Sequence, residues 1–127
     1  MEDNDGKRTA LYIKFGNDYY HGRGVEENED IALRWYQKAA ELGDGKASLI
    51  LGDMFNYYYR GGENHEMAFY WYQKSAELGY AEGQKAVGYM YKNGFGVEED
   101  HKKAFYWYKK AADQLVEGGY TGPYLVK

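Results

Sequence analysis

The sequence predicts an all-α chain built as a stack of three 36-residue helix–loop–helix repeats. Three observations predict it. Trp35, Trp71 and Trp107 recur every 36 residues. Between them, apolar residues recur at helical spacing. The single proline, Pro123, lies beyond all of this, so no proline interrupts a helix in the repeats.

Aligning 9–44, 45–80 and 81–116 on that period gives columns identical in all three copies: Gly16/Gly52/Gly88, Glu27/Glu63/Glu99, Ala32/Ala68/Ala104, the Trp column, Tyr36/Tyr72/Tyr108, Lys38/Lys74/Lys110 and Ala40/Ala76/Ala112. Chance would supply on the order of 0.1 such columns at ordinary residue frequencies, so the period is real. One unit cannot bury its apolar stripe alone, but three stacked units can.

The first helix of each repeat is read from Leu11, Phe15 and Tyr19, and again from Ala47, Leu51 and Phe55, at i, i+4, i+8. The second is read from Ala32, Trp35, Tyr36, Ala39 and Ala40, one broad apolar stripe. Asn28 and Asp100 stand where an N-cap belongs. Gly43 and Gly79 stand where a left-handed C-terminal cap wants glycine. The connecting loops HGRGV (21–25) and NGFGV (93–97) carry paired glycines for positive φ. Repeat three loses its closing glycine, so its last helix is expected to run to about Glu117. Gly16, Gly52 and Gly88 are helix-interior glycines, each costing about 1 kcal/mol against alanine. That cost, met three times, marks a close helix–helix contact against the large Trp or Tyr of the partner helix.

Composition narrows the function. Sixteen Lys+Arg against 20 Asp+Glu give a net charge of −4 and a pI near 5.4. That balance speaks against binding a nucleic-acid backbone or anchoring to an anionic membrane. There is no cysteine, so thiolate chemistry and cysteine-ligated zinc are excluded. No signal-peptide pattern and no long apolar run occur, which predicts a cytoplasmic chain.

Nothing in the motifs points to catalysis. There is no nucleophile elbow, P-loop or dinucleotide fingerprint, and no cofactor is implied. His21, His65 and His101 read as solvated loop or cap residues; His65 and His101 fall one period apart, too far for one metal ion. The acidic stretches EENED (26–30) and EED (98–100) lie at second-helix starts, where the helix dipole favours anions.

Aromatics make up 19% of the chain, with 16 Tyr. Tyr19, Tyr36, Tyr72, Tyr91 and Tyr108 lie on repeat columns and read as structural. Opposite the core stripe, the first helices present an inner face of Ile13, Leu49 and the candidate partner-binding residues Asn17, Tyr20, Asp53, Asn56, Tyr57, Tyr89 and Lys92, and the middle loop adds Tyr58 and Tyr59 to the candidates as a tyrosine triplet with Tyr57. Tyrosine suits an interface because it gives large contact area at low entropy cost. The same tyrosines could instead fill gaps between repeats. A helix cannot bury Tyr57, Tyr58 and Tyr59 together, so at least one should be exposed.

The segments LGDMF (51–55), GRGVEENEDIALRWYQKAAELGD (22–44) and VGYMYKNGFGVEEDHKKAFYWYKKAA (87–112) resemble the Sel-1-like repeat. That family's motif is A-x3-L-G-x2-Y-x2-G-x-G-V followed by K-A-x2-W-Y-x-K-A-A and a glycine. The resemblance implies a right-handed α/α solenoid related to tetratricopeptide repeats. It also implies an adaptor or scaffold that binds another protein, and some bacterial members serve as immunity proteins beside secreted toxins. For an acidic chain the expected partner is a basic protein. The alternatives are a structural scaffold, a fragment of a longer solenoid without its own ligand, or a small hydrolase-like enzyme.

This chain departs from the pattern in places. The middle loop YYYRGGENHEMA (57–68) lacks the G-x-G-V turn, and Leu11 and Gly83 replace the usual alanine. The family's cysteine-rich branch is a poor guide to a chain without cysteine. The segment 117–127, with Tyr120, Tyr124, Leu125 and Val126, is expected to cap the third repeat or to dock on a second copy as a homodimer.

Overall fold

A computed structural model describes residues 4–117, with Glu117 described by its backbone alone; the expected capping role of the C-terminal segment lies outside the described residues. The order is α1 (Asn4–His21), α2 (Glu29–Glu41), α3 (Gly45–Asp53), a π-helical turn (Met54–Tyr58), a 3-10 turn (Tyr59–Gly61), α4 (His65–Glu77), α5 (Ala81–Asn93) and α6 (His101–Glu117). Each helix packs on its neighbours in sequence, and α3 also touches α5. The chain is therefore an α/α solenoid, with α1, α3 and α5 as one layer and α2, α4 and α6 as the other. None of the helices among the described residues is long and apolar enough to cross a membrane.

The caps predicted at Asn28 and Asp100 form, and Asn64 adds a third. Asn28, Asn64 and Asp100 share one column and accept from Ile31 N, Met67 N and Lys103 N at 3.0, 3.2 and 3.0 Å. Helix α6 is continuous from His101 to Glu117, the last described residue. Helix α1 is already formed at Asn4, the first described residue, several residues before the first repeat boundary at residue 9.

The core consists of small residues on one helix meeting large ones on the next. Ala32, Ala39, Ala47, Leu51, Ala68 and Val87 are fully buried. The identical columns stop being equivalent at the last helix. Ala40 and Ala76 are buried and Phe69 packs edge-on against Tyr91 at 5.3 Å, whereas Ala112 is exposed and Phe105 is 66% exposed. Columns 33/69/105 and 40/76/112 face the next repeat, and among the described residues no helix follows α6.

The helix-interior glycines explain the tyrosine column. A Cβ on Gly16 would stand 2.6 Å from the Tyr36 ring, one on Gly88 would stand 3.1 Å from Tyr108, and one on Gly52 would collide with Tyr72. The partner is thus tyrosine in all three repeats, where the sequence left Trp and Tyr open. Each ring lies across a glycine, and Tyr36 and Tyr72 reach residues of the first-helix layer with their hydroxyls.

The middle loop reaches the same end by a different backbone. In repeats one and three the N–H groups of Arg23 and Phe95 bond back five residues to the carbonyls of Asp18 (2.8 Å) and Met90 (3.0 Å), past glycines at φ 69°. In repeat two that glycine column holds Tyr58. The equivalent N–H of Tyr59 still bonds to the Met54 carbonyl, but through a π-helical turn. The second glycine column holds Arg60, held at φ 51°.

Candidate functional site

Two clefts run side by side along the first-helix layer, and both grow out of the glycine–tyrosine device. The first, about 410 Å³, lies between α1 and α3: Asn17, Tyr20 and His21 on one side, Ile50, Asp53 and Tyr58 on the other, with Tyr36 of α2 as floor. The second, about 350 Å³, lies between α3 and α5: Asp53, Asn56 and Tyr57 face Glu82, Lys85 and Tyr89, with Tyr72 and Tyr108 beneath. Asp53 belongs to both.

The floors are polar because the tyrosine hydroxyls end there. Tyr36 donates to Asn17 Oδ1 and Tyr72 donates to Asp53 Oδ1, each at 2.6 Å. Asn17, Asp53 and Tyr89 occupy one column, so the first two repeats supply an acceptor and the third an aromatic ring. Burial pushes the Tyr36 phenol up to about 12. Burial, reinforced by the bond to Asp53, lifts Tyr72 further in the same direction. The Asp53 carboxyl is also raised, first by burial and then by repulsion from Glu82, with the Tyr72 hydrogen bond opposing both.

The inner-face residues do not all act alike. Tyr20, Tyr57, Tyr58 and Tyr89 line the clefts. Tyr57 and Tyr58 are 58 and 56% exposed, as the impossibility of burying a tyrosine triplet required, and Tyr89 is 47% exposed. Asn17 and Asp53 line the clefts too, but each also anchors a core tyrosine. Asn56 is buried, and its Oδ1 faces His65 Nδ1 at 2.8 Å.

Two candidates and one histidine depart from expectation. Tyr59 is turned away from both clefts: the π-helical turn rotates it onto Phe55 (5.6 Å) and its hydroxyl donates to Asp30 Oδ1 at 2.5 Å. Lys92 is exposed and lines neither cleft. His65 is not a solvated cap residue. It is partly buried and stacked on Phe95 at 4.8 Å, bridging the middle loop to the next one, whereas its column-mate His101 is exposed beside Glu99.

The sequence reading missed Glu82 and Lys85. Lys85 shares a column with Ile13 and Leu49, so the period alone would have placed it on the inner face. Glu82 shares its column with Ala10 and the exposed Lys46 and carried no such signal.

Comparison with known proteins agrees with this architecture. Among solved structures, a Sel1 repeat protein from Oxalobacter formigenes superposes with a TM-score of 0.77 at 34% identity, over 87% of this chain and 83% of that one. The c5321 protein, a protective antigen present in uropathogenic Escherichia coli strains and displaying an SLR fold, gives 0.79 at 29% identity over 91% of this chain. This chain spans 27% of the c5321 chain. Cysteine-rich protein B of Helicobacter pylori gives 0.66 at 23% identity, over 87% and 88% of the two chains, a likeness of fold. None of the curated proteins compared with the chain matches it. The Sel1 repeat profile matches in tandem at 16–44, 46–80 and 81–114, the same three units that the Trp period, the caps and the glycine–tyrosine contacts delimit. The chain belongs to the Sel1 repeat family.

Proposed function

We propose that this chain is a protein-binding module whose ligand surface is the pair of clefts on the first-helix layer. Sel1 repeats are commonly protein–protein interaction scaffolds. The observation that carries the reading to these clefts is that Tyr20, Tyr57, Tyr58 and Tyr89, tyrosines in columns that do not require an aromatic, border them. Three of the four are about half exposed. Exposed rings over a polar floor give apolar area with hydrogen-bonding groups beneath, the anatomy of an interface centre. The overall acidity favours a basic partner. In its most specific form the module is a cytoplasmic immunity protein that occludes a basic toxin; co-expression with a toxin encoded beside it would test that form.

The binding-face reading is tested by affinity purification with quantitative mass spectrometry. Tyr57→Ala/Tyr58→Ala/Tyr89→Ala should lose the partner that the parent recovers, while Tyr59→Ala should retain it. Equal recovery by the triple variant would remove the clefts as the binding surface.

A further inference from the structure

The cleft between α3 and α5 has a chemistry of its own. It is lined by Tyr57 of the π-helical turn and Tyr89 of α5, two exposed rings. At its floor the Asp53 carboxylate is partly buried. One of its oxygens accepts from Tyr72; the other has no hydrogen-bond partner among the described residues. No Lys or Arg among the described residues neutralises it. Among the described residues, the charged neighbour that acts on it is Glu82, which repels. Lys85 stands on the same rim but is held by Glu82 at 3.2 Å. The cleft thus has aromatic walls, an excess of negative charge at its base and a carboxylate oxygen left to accept.

We infer that this cleft is a socket for an arginine side chain of the partner, with the guanidinium between Tyr57 and Tyr89 and an N–H donated to Asp53 Oδ2. The inference rests on the binding-face reading and names the group that the face selects. Arginine fits better than lysine because its flat, weakly hydrated head can stack on a ring while donating in its own plane. A cation there also offsets the cost of burying Asp53. Tyr89 stands in the column where the first two repeats carry Asn17 and Asp53. The third repeat therefore sets an exposed ring, itself resting on Phe95 at 5.9 Å, beside the Asp53 carboxylate of the second.

The test uses the whole chain, 15N-labelled, titrated with the peptide Ac-Gly-Ser-Gly-Arg-Gly-Ser-Gly-NH2 and with the same peptide carrying citrulline, the uncharged isostere. The arginine peptide should give saturable amide shifts centred on Asp53, Tyr57, Glu82 and Tyr89. These should weaken at 0.5 M NaCl. The citrulline peptide should bind about tenfold or more weakly. Asp53→Asn should lose the arginine preference. It should keep the fold, because Asn17 already accepts a tyrosine hydroxyl at the same position of repeat one, and an unchanged far-UV CD spectrum checks that. Equal binding of the two peptides, shifts centred elsewhere, or an Asp53→Asn variant that binds like the parent would each overturn the socket. A protein partner lost by the tyrosine triple variant but retained by Asp53→Asn would overturn the socket while leaving the binding face standing.

Discussion

Replacing Gly52 by alanine should destabilise the fold although alanine is the better helix former. The intrinsic gain is about 1 kcal/mol. Against it, the new methyl would occupy the volume of the Tyr72 ring, which is only 3% exposed and cannot swing out. Overpacking of that kind costs roughly 1–3 kcal/mol. A displaced Tyr72 also loses its 2.6 Å bond to Asp53, worth about 1.5–3 kcal/mol for a charged acceptor and less if water replaces it. The net loss is about 1.5–5 kcal/mol, toward the lower end where water replaces the bond. Gly88→Ala is the internal control. Its methyl would stand 3.1 Å from the Tyr108 ring, and Tyr108 is only partly buried. Among the described residues no helix packs beyond it, so the ring can yield a few tenths of an ångström. Gly88→Ala should therefore be within about 0.5 kcal/mol of the parent or more stable. Urea denaturation followed by CD at 222 nm measures both. Equal stabilities for the two variants, or a Gly52→Ala protein as stable as the parent, would refute the account of these glycines as holes for tyrosine.

Asp53→Asn should be at least as stable as the parent at pH 7. The folded Asp53 carboxyl is raised above its unfolded value, so the folded parent binds a proton more readily than the unfolded chain and bears the cost of a buried charge once that proton is lost. The urea-midpoint gap between the two proteins should close as pH falls through the raised value toward the ordinary aspartate range near 3.9; a gap that widens on acidification would contradict this. Arg60→Gly should stabilise the protein by about 0.5–1 kcal/mol, because Gly24 and Gly96 hold the equivalent positions and φ 51° strains any side-chain-bearing residue. The ion pair it removes, to Asp30 at 3.5 Å, is exposed and contributes little. Thermal melts would show a lower midpoint if that pair mattered more than the backbone.

The repeat period, the helix ends and the family were legible in the sequence because each is set locally. Apolar spacing fixes which stripe of a helix is buried, Asn28 and Asp100 close their own helix starts, and glycine supplies the positive φ of its own loop. Ser75 in an alanine column is buried without a hydrogen-bond partner, a cost the alignment located but could not explain.

The tertiary structure decided what distance along the chain conceals. Asn17 and Tyr36 lie 19 residues apart, as do Asp53 and Tyr72. They meet only because a glycine lets one helix approach another closely. The same contact turns a core tyrosine into a cleft floor and puts Asp53 between two clefts. Tyr57, Tyr58 and Tyr59 were indistinguishable as a triplet. A π-helical turn, forced where glycine is missing, sends the first two to the clefts and the third to Asp30. The one-dimensional repeat thus determined the scaffold. Side-chain direction, which depends on backbone twist and on the neighbouring helix, determined which tyrosines remain available to a partner.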